Sequence, residues 1–570
     1  MTKNINICGI TGFEKNRTFV LFIFLWFIVN TIQTVFTEIM PDETYYALYG
    51  KALAWGYYDH PPMVGLMTYL SELLFNGNMA VRFMTIIFQI LTIIVTWKII
   101  EEKSPDSHKA VLFFIIASSL VMFHAYGFVT APDVPFLFFT VLFIFSYRKF
   151  IDDSSWSAVL LLALSMSGMF YSKYHAILVI GFVVLSNLRL LLNYKFWLSG
   201  ILALILLIPH IYWQFTNDFP SFQYHLSDRS SRFMWSYFFE YLPNQMAVFN
   251  PFTFGAVVYI LIKYKPRDVF EKSLYFLIVG FIAFFWIASC RGHVEPHWTV
   301  AASIPMIILL YRRSLENKKL MRYVKRCIVP SIILIIFARI ALIAELLPQR
   351  LNFSGKEERY KAIESVAGDV PVVFTGSFQN PSNYSFFTKK ESTVLSAINS
   401  RQTQFDIWAK ELDYQGKKVF ICHNDKTKSK EYSVDEHTFY GYFTENFQSA
   451  NRVKISYTLT DTEAVPGTVL RVPFEMHNPT NHDVDFNHPE FPVNCKAAFM
   501  INPRKGQLYF ADCQFSAPAD VIPANSTIKG ELTTIVPEID NAEYTFTLTL
   551  VNAICASRNS DYHSLKVTRK

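Results

Sequence analysis

Charge is scarce in this chain. Asp, Glu, Lys and Arg make up only 17% of its 570 residues, while 52% are hydrophobic. That balance argues against a soluble multidomain protein of the same length. Cysteine is sparse too. The seven cysteines show none of the paired spacings of a zinc site. No small-residue cleavage site follows the first apolar run, so that run is expected to be retained as a span. After about residue 347 the long apolar runs stop, and polar, alternating sequence replaces them.

What fills the first part is a series of apolar runs near bilayer-crossing length. They cover Thr18–Thr37, Ala80–Ile100, Ala110–Val129, Val134–Tyr147 and Ser157–Phe170. A sixth reaches Arg189, Trp197–Tyr212 follows, and an eighth ends at Lys263. Leu274–Ser289, a tenth ending at Arg312, and Ile328–Leu347 complete the set. About eleven spans are expected. The net charge of +6 could suggest a nucleic-acid partner. Its basic residues instead gather in alternate short loops, the pattern of membrane orientation, so no nucleic acid is expected. That bias puts the amino terminus in the cytoplasm and everything after Pro348 outside. The expected location is the plasma membrane, the inner membrane of a bacterium, with site and C-terminal domains on the periplasmic face.

The polar motifs all fall on the outer side. The most distinctive stretch is Met40 to Gly65, where Asp42, Glu43, Asp59 and His60 stand among tyrosines and Trp55. A juxtamembrane loop needs polarity, but not acids interleaved with aromatic rings. Rings that stack on sugar faces and carboxylates that accept from hydroxyls make a sugar cleft. Further outer motifs are Asp133 between Pro132 and Pro135, Lys173-Tyr174-His175, and Arg291 to Trp298.

The pattern Asp42-Glu43-x-Tyr45-Tyr46, then Trp55-Gly56-Tyr57-x-Asp59-His60-Pro61-Pro62-Met63, resembles the first outer loop of the C-type glycosyltransferase superfamily. The branch most similar holds the protein O-mannosyltransferases and the aminoarabinose transferases of lipid A. The resemblance covers roughly the first 350 residues. It implies a polytopic helical membrane enzyme. Such an enzyme moves a sugar from a polyprenyl-phosphate carrier to an acceptor outside the cytoplasm, with inversion expected. Where this chain has Asp59-His60-Pro61-Pro62, the aminoarabinose enzymes carry Glu-Lys-Pro-Pro, which leaves the donor sugar open. A glycolipid, a surface glycan and a secreted protein all stay open as acceptor.

The resemblance makes Asp42 the general base and Asp133 the second acid. Asp133 read by itself serves equally as an N-cap of the fourth span. Glu43, Tyr45, Tyr46, Asp59 and His60 are expected to bind substrate. Lys173 and His175 are first choices for the carrier phosphate, with Arg82 and Arg291 behind them, and Tyr174 beside them is expected to bind substrate. Glu295 and His297 would line the substrate loop. A divalent metal ion is a further expectation, held by Asp59 or His60 with His293 or His297. The alternative for His293-x-Glu295-x-His297 is a hydrogen-bonded substrate loop anchored by Trp298. Arg339, inside the last span, is expected to pair with Glu345 or to face the lipid-phosphate cavity. The competing function is a membrane transporter or lipid flippase. Those folds favour inverted repeats and polar groups near mid-bilayer. This sequence has no visible repeat, and its polar motifs lie at one face.

Three domains are expected: the membrane domain 1–347, a small α/β domain 348–449, and a β-rich, sandwich-like domain 450–570. Pro371–Thr375 and Gly416–Cys422 read as buried strands and Ser377–Ser382 as a turn. Val453–Thr460, Thr468–Phe474 and Tyr544–Leu550 alternate as half-buried strands do. The last domain carries no catalytic constellation and reads as a binding or spacer module. Cys495 and Cys513 flank a candidate hairpin, where a disulfide and free thiols are both open.

Overall fold

The computed structural model describes residues 16–100, 106–224, 234–347, 355–423, 429–501, 507–517 and 520–569. The chain divides into two compact units, Met1–Ser354 and Gly355–Lys570.

The first unit is helical. Among the described residues, five helices are each long and apolar enough to cross a bilayer: Arg17–Phe36, Met79–Ile100, Asp133–Asp153, Val269–Ser289 and Lys318–Ile343. Counting each of two bent pairs as one span would raise that number to at most seven. Tyr194–Leu206 meets Ile208–Thr216 at 48°, and Trp235–Phe249 meets Pro251–Lys263 at 104°. Ser107–Ser118, Trp156–Ser172 and Ala176–Ser186 are shorter apolar helices. The chain is a multi-pass membrane protein.

The run Ala110–Val129 is not one helix. It stops at Ser118 and resumes as the short helix Val121–Ala125. A break at membrane depth must satisfy its own backbone. Here Asn250 donates to the Ser119 carbonyl (3.0 Å), the Ser119 and Thr253 hydroxyls bond (2.7 Å), and the His124 ring meets the Ser118 carbonyl (2.6 Å). The stretch Gln214 to Asn250, after the expected span Trp197–Tyr212, contains the helix Trp235–Phe249, although Pro243 lies inside it. Its residues 225–233 lie outside the described residues.

Arg339 turns inward from the last long helix and is 6% exposed. It donates to Gln33 Oε1 (3.0 Å), Asn30 Oδ1 (3.0 Å) and the Val29 carbonyl (3.3 Å), and meets His124 Nδ1 (3.3 Å). Its partners are thus on the first helix and the broken third run, not Glu345. A charge buried at that depth persists only when it is paired this fully.

The second unit holds two larger sheets. In one, Val372–Thr375 lies between Ser392–Leu395 and Val419–Cys422, parallel to both, and His437–Thr444 and Lys430–Val434 continue it antiparallel. The expected turn at Ser377–Ser382 instead runs into the helix Gln379–Thr388. The other sheet has eight strands. Val472, Phe474, Met476 and Leu532 meet Ala497, Phe499, Phe546 and Leu548 in one core. Val469–Asn478 alternates exposed and buried along its whole length, the period-two pattern of a strand with one dry face.

Candidate active site

The loop after the first long helix builds two short helices, Pro41–Lys51 and Met63–Glu72, joined by a turn at Asp59–Pro62. Pro41 stands at the first helical position, where its missing N–H costs nothing. Two glycines let the helices cross closely. A Cβ on Gly50 would lie 2.6 Å from Thr68 Oγ1, and one on Gly65 2.5 Å from the Tyr57 hydroxyl oxygen. Tyr49 and Tyr57 stack in parallel at 3.8 Å, and the Tyr57 hydroxyl donates to the Tyr49 carbonyl (2.9 Å). Most of the tyrosines therefore pack the loop on itself. Tyr45, Tyr49 and Tyr57 are at most 1% exposed.

Asp42 and Glu43 are neighbours with opposite surroundings, because successive helical residues point about 100° apart. Asp42 is exposed. Glu43 is 1% exposed and accepts four hydrogen bonds. They come from Arg82 Nε (2.8 Å), Arg82 Nη2 (2.5 Å), the Met40 N–H (2.9 Å) and the Thr130 N–H (2.8 Å). Arg82, 0% exposed, also donates to the carbonyls of Thr34 (3.4 Å), Thr37 (2.7 Å) and Glu38 (3.1 Å). All five guanidinium N–H groups are thereby used on the protein. Glu43 and Arg82 bind each other and fix three segments: the start of Pro41–Lys51, the helix Met79–Ile100, and the loop that leads to Asp133.

Asp133 is the first residue of its helix, one position inside the cap, which is Pro132. An acid in the first turn suits the helix dipole. It is 3% exposed, accepts from Lys173 Nζ (2.7 Å) and lies 3.9 Å from His297 Nε2. Lys173 follows the helix Trp156–Ser172, and His297 lies in the 3₁₀ turn Pro296–Ala302. Three separate segments thus meet at one carboxylate. Within the first loop, the Tyr46 hydroxyl is 3.4 Å from His60 Nε2. Burial, then the charges of Asp42, Asp59 and Asp133, hold the Tyr46 phenol well above its ordinary pKa. It stays protonated, a donor among acids. Asp59 itself is 2% exposed and accepts from the Tyr49 hydroxyl (2.5 Å).

The rest of the expected set is placed as follows. His175 sits among rings, 5.1 Å from Phe285, 5.3 Å from Trp298 and 6.5 Å from Phe136. His293 and Glu295 face each other at 3.6 Å on an exposed stretch, with the Tyr237 ring 5.4 Å from His293. Arg291 is exposed. Tyr174 turns to a residue that the sequence reading did not single out. The His210 ring bonds the Trp55 carbonyl through Nδ1 (2.6 Å) and the Tyr174 hydroxyl through Nε2 (3.0 Å). A carbonyl only accepts, so Nδ1 carries the proton and Nε2 accepts from Tyr174. Gln214 then donates to the Tyr174 hydroxyl (2.9 Å) and to Ser221 (2.7 Å). This chain of bonds ties the first loop to Ile208–Thr216. The available signal was a lone histidine inside an apolar run.

Among the described residues no three His, Cys, Asp or Glu side chains are grouped to hold a metal ion.

Residues 59–213 match the sequence family described as dolichyl-phosphate-mannose-protein mannosyltransferase. The matched segment carries Asp59, Arg82, Asp133, Lys173 and His210, and stops short of Asp42 and His297. No curated protein matches the chain in sequence. Among solved structures, ArnT from Cupriavidus metallidurans bound to undecaprenyl phosphate is 14% identical, with a TM-score of 0.56 over 74% of this chain and 97% of that one. The apo state of the same enzyme is 14% identical, with a TM-score of 0.53 over 76% and 98%. The helical unit has the C-type glycosyltransferase fold, and residues 59–213 carry the pattern of the dolichyl-phosphate-mannose-protein mannosyltransferases.

Proposed function

We propose that the protein transfers a sugar from a polyprenyl-phosphate carrier to an acceptor hydroxyl outside the cytoplasm, with Asp42 as general base. One observation carries this reading. Asp42 stays exposed at a helix start, while the acids around it are buried in bonds to the protein. In the step, the acceptor oxygen forms its bond to the anomeric carbon and gives its proton to Asp42. The bond from that carbon to the carrier phosphate breaks, and the polyprenyl phosphate leaves with the electron pair. Asp133 orients Lys173, whose ammonium meets the growing phosphate charge. Glu43 and Arg82 act by position, holding the loops of both acids together. The likeness to an undecaprenyl-phosphate-bound enzyme supports the carrier class.

The test is turnover by purified protein given polyprenyl-phosphate sugars, paired with mass spectrometry of envelope glycans and lipids from cells with and without it. No transfer from any lipid-phosphate donor and an unchanged envelope would end this reading.

Two further outcomes are expected. Lys173→Ala weakens donor-lipid binding about tenfold to a hundredfold, the worth of one charge-assisted hydrogen bond of ~1.5–3 kcal/mol. Binding titrations on folded protein measure it, and unchanged affinity would give the phosphate to Arg291 instead. For topology, the basic loops put the amino terminus inside and the second unit outside. Reporter fusions after Arg326 and after Arg350 read opposite sides. Agreement between the two reporters would remove the last span and the outer placement of the second unit.

A further inference from the structure

Two thiols meet in the second unit, within the eight-stranded sheet. Asn494–Met500 runs antiparallel to Leu508–Phe515, with Met500 opposite Leu508 and Lys496 opposite Asp512. One residue further, the same register sets Cys495 against Cys513. The two side chains are in hydrogen-bonding contact. Cys495 is 5% exposed and belongs to the sheet core, and Cys513 packs against that core from a partly buried position. Cβ atoms opposite each other in such a pair lie about 4.5–5.5 Å apart. A disulfide needs about 3.5–4.5 Å, so a small closure suffices. Cys555 in the same unit is engaged elsewhere, its thiol donating to Asn451 Oδ1 at 3.8 Å.

We propose that Cys495 and Cys513 are an oxidisable pair that closes into a cross-strand disulfide, stapling two central strands of the sheet. The proposal goes beyond glycosyl transfer and rests on the preceding reading only in placing the unit outside the cytoplasm, where oxidants act. The hydrogen bond to Cys513, then burial, hold the Cys495 thiol above its ordinary pKa. The more open Cys513 is therefore the first nucleophile. As a thiolate it attacks the disulfide of a thioredoxin-like oxidant and releases one of that protein's thiolates. Cys495 then loses its proton, attacks the Cys513 sulfur and releases the second. Two thiols of this chain are oxidised, and one disulfide of the oxidant is reduced to two thiols.

The experiment uses the full-length protein, taken from membranes and denatured in detergent with N-ethylmaleimide and no reductant. Proteolysis and mass spectrometry should find the Cys495 and Cys513 peptides joined in most of the protein. Dithiothreitol should separate them and lower the melting temperature of the chain by several degrees. Cys513→Ser and Cys495→Ala should each abolish the link, and Cys555→Ser should leave it. Maleimide on both Cys495 and Cys513, or a link from either to Cys555, overturns the proposal. Reporter fusions in the same cells separate the causes. Free thiols with the unit outside refute the pairing alone, and free thiols with the unit inside refute the outer placement as well.

Discussion

Asp42→Asn loses sugar transfer by roughly a hundredfold to ten-thousandfold, the usual worth of a general base, while donor binding stays near the parent value. Asn keeps the shape of the side chain but cannot take a proton at neutral pH. Asp42 is exposed at the start of Pro41–Lys51, and Asn keeps its size there, so the melting temperature should hold. That combination distinguishes it from its neighbour. Glu43→Gln keeps one acceptor oxygen where the two carboxylate oxygens separately serve the Met40 and Thr130 N–H groups, and it loses the charge facing Arg82, so it should lower stability and activity together. The measurement is single-turnover transfer beside donor binding on the same folded preparation. A near-parent rate for Asp42→Asn would remove the base from Asp42. Asp133 would be next, although its bond to Lys173 already commits one oxygen.

The contrast between Asp42 and Glu43 marks where sequence reading stops. Their composition and their place beside a span were legible, and so was the convergence of Asp133, Lys173 and His297 on one side, which charge bias alone suggested. Which of two adjacent acids faces solvent depends on the helix phase, and that phase is set by Arg82, 39 residues away. No local pattern records such a partner. The same holds for His210, which reads as a stray polar residue until Tyr174 and the Trp55 carbonyl are seen on either side of its ring. The aromatic richness of the loop suggested rings open to sugar, yet most of those tyrosines pack on one another, because residue type does not specify which face of a short helix is dry. Strands such as Val469–Asn478 were readable for the opposite reason, since their alternation directly mirrors one wet and one dry face. Spans interrupted at Ser119 or hidden by Pro243 were not. Their breaks are satisfied by distant groups such as Asn250, which hydropathy cannot count.

Arg82→Met should destabilise the membrane unit by about 3–5 kcal/mol, the cost of leaving a buried carboxylate without its cation. The loss extends beyond one ion pair, because five N–H groups of Arg82 hold three carbonyls and both oxygens of Glu43. Arg82→Lys keeps the charge but has three donors on one nitrogen, so it cannot span the same fork and should recover only part of the stability. Adding Glu43→Leu to Arg82→Met removes the stranded charge, and this double variant should melt above the single one. It should still fall short of the parent protein, since the Met40 and Thr130 N–H groups lose their acceptor. Thermal melting and the yield of monodisperse protein from membranes measure all three variants. If Arg82→Met melted like the parent but bound donor lipid poorly, Arg82 would belong to the carrier phosphate rather than to Glu43. If stability and transfer fall together while donor affinity per folded molecule holds, Arg82 is what keeps the loops of Asp42 and Asp133 in one place.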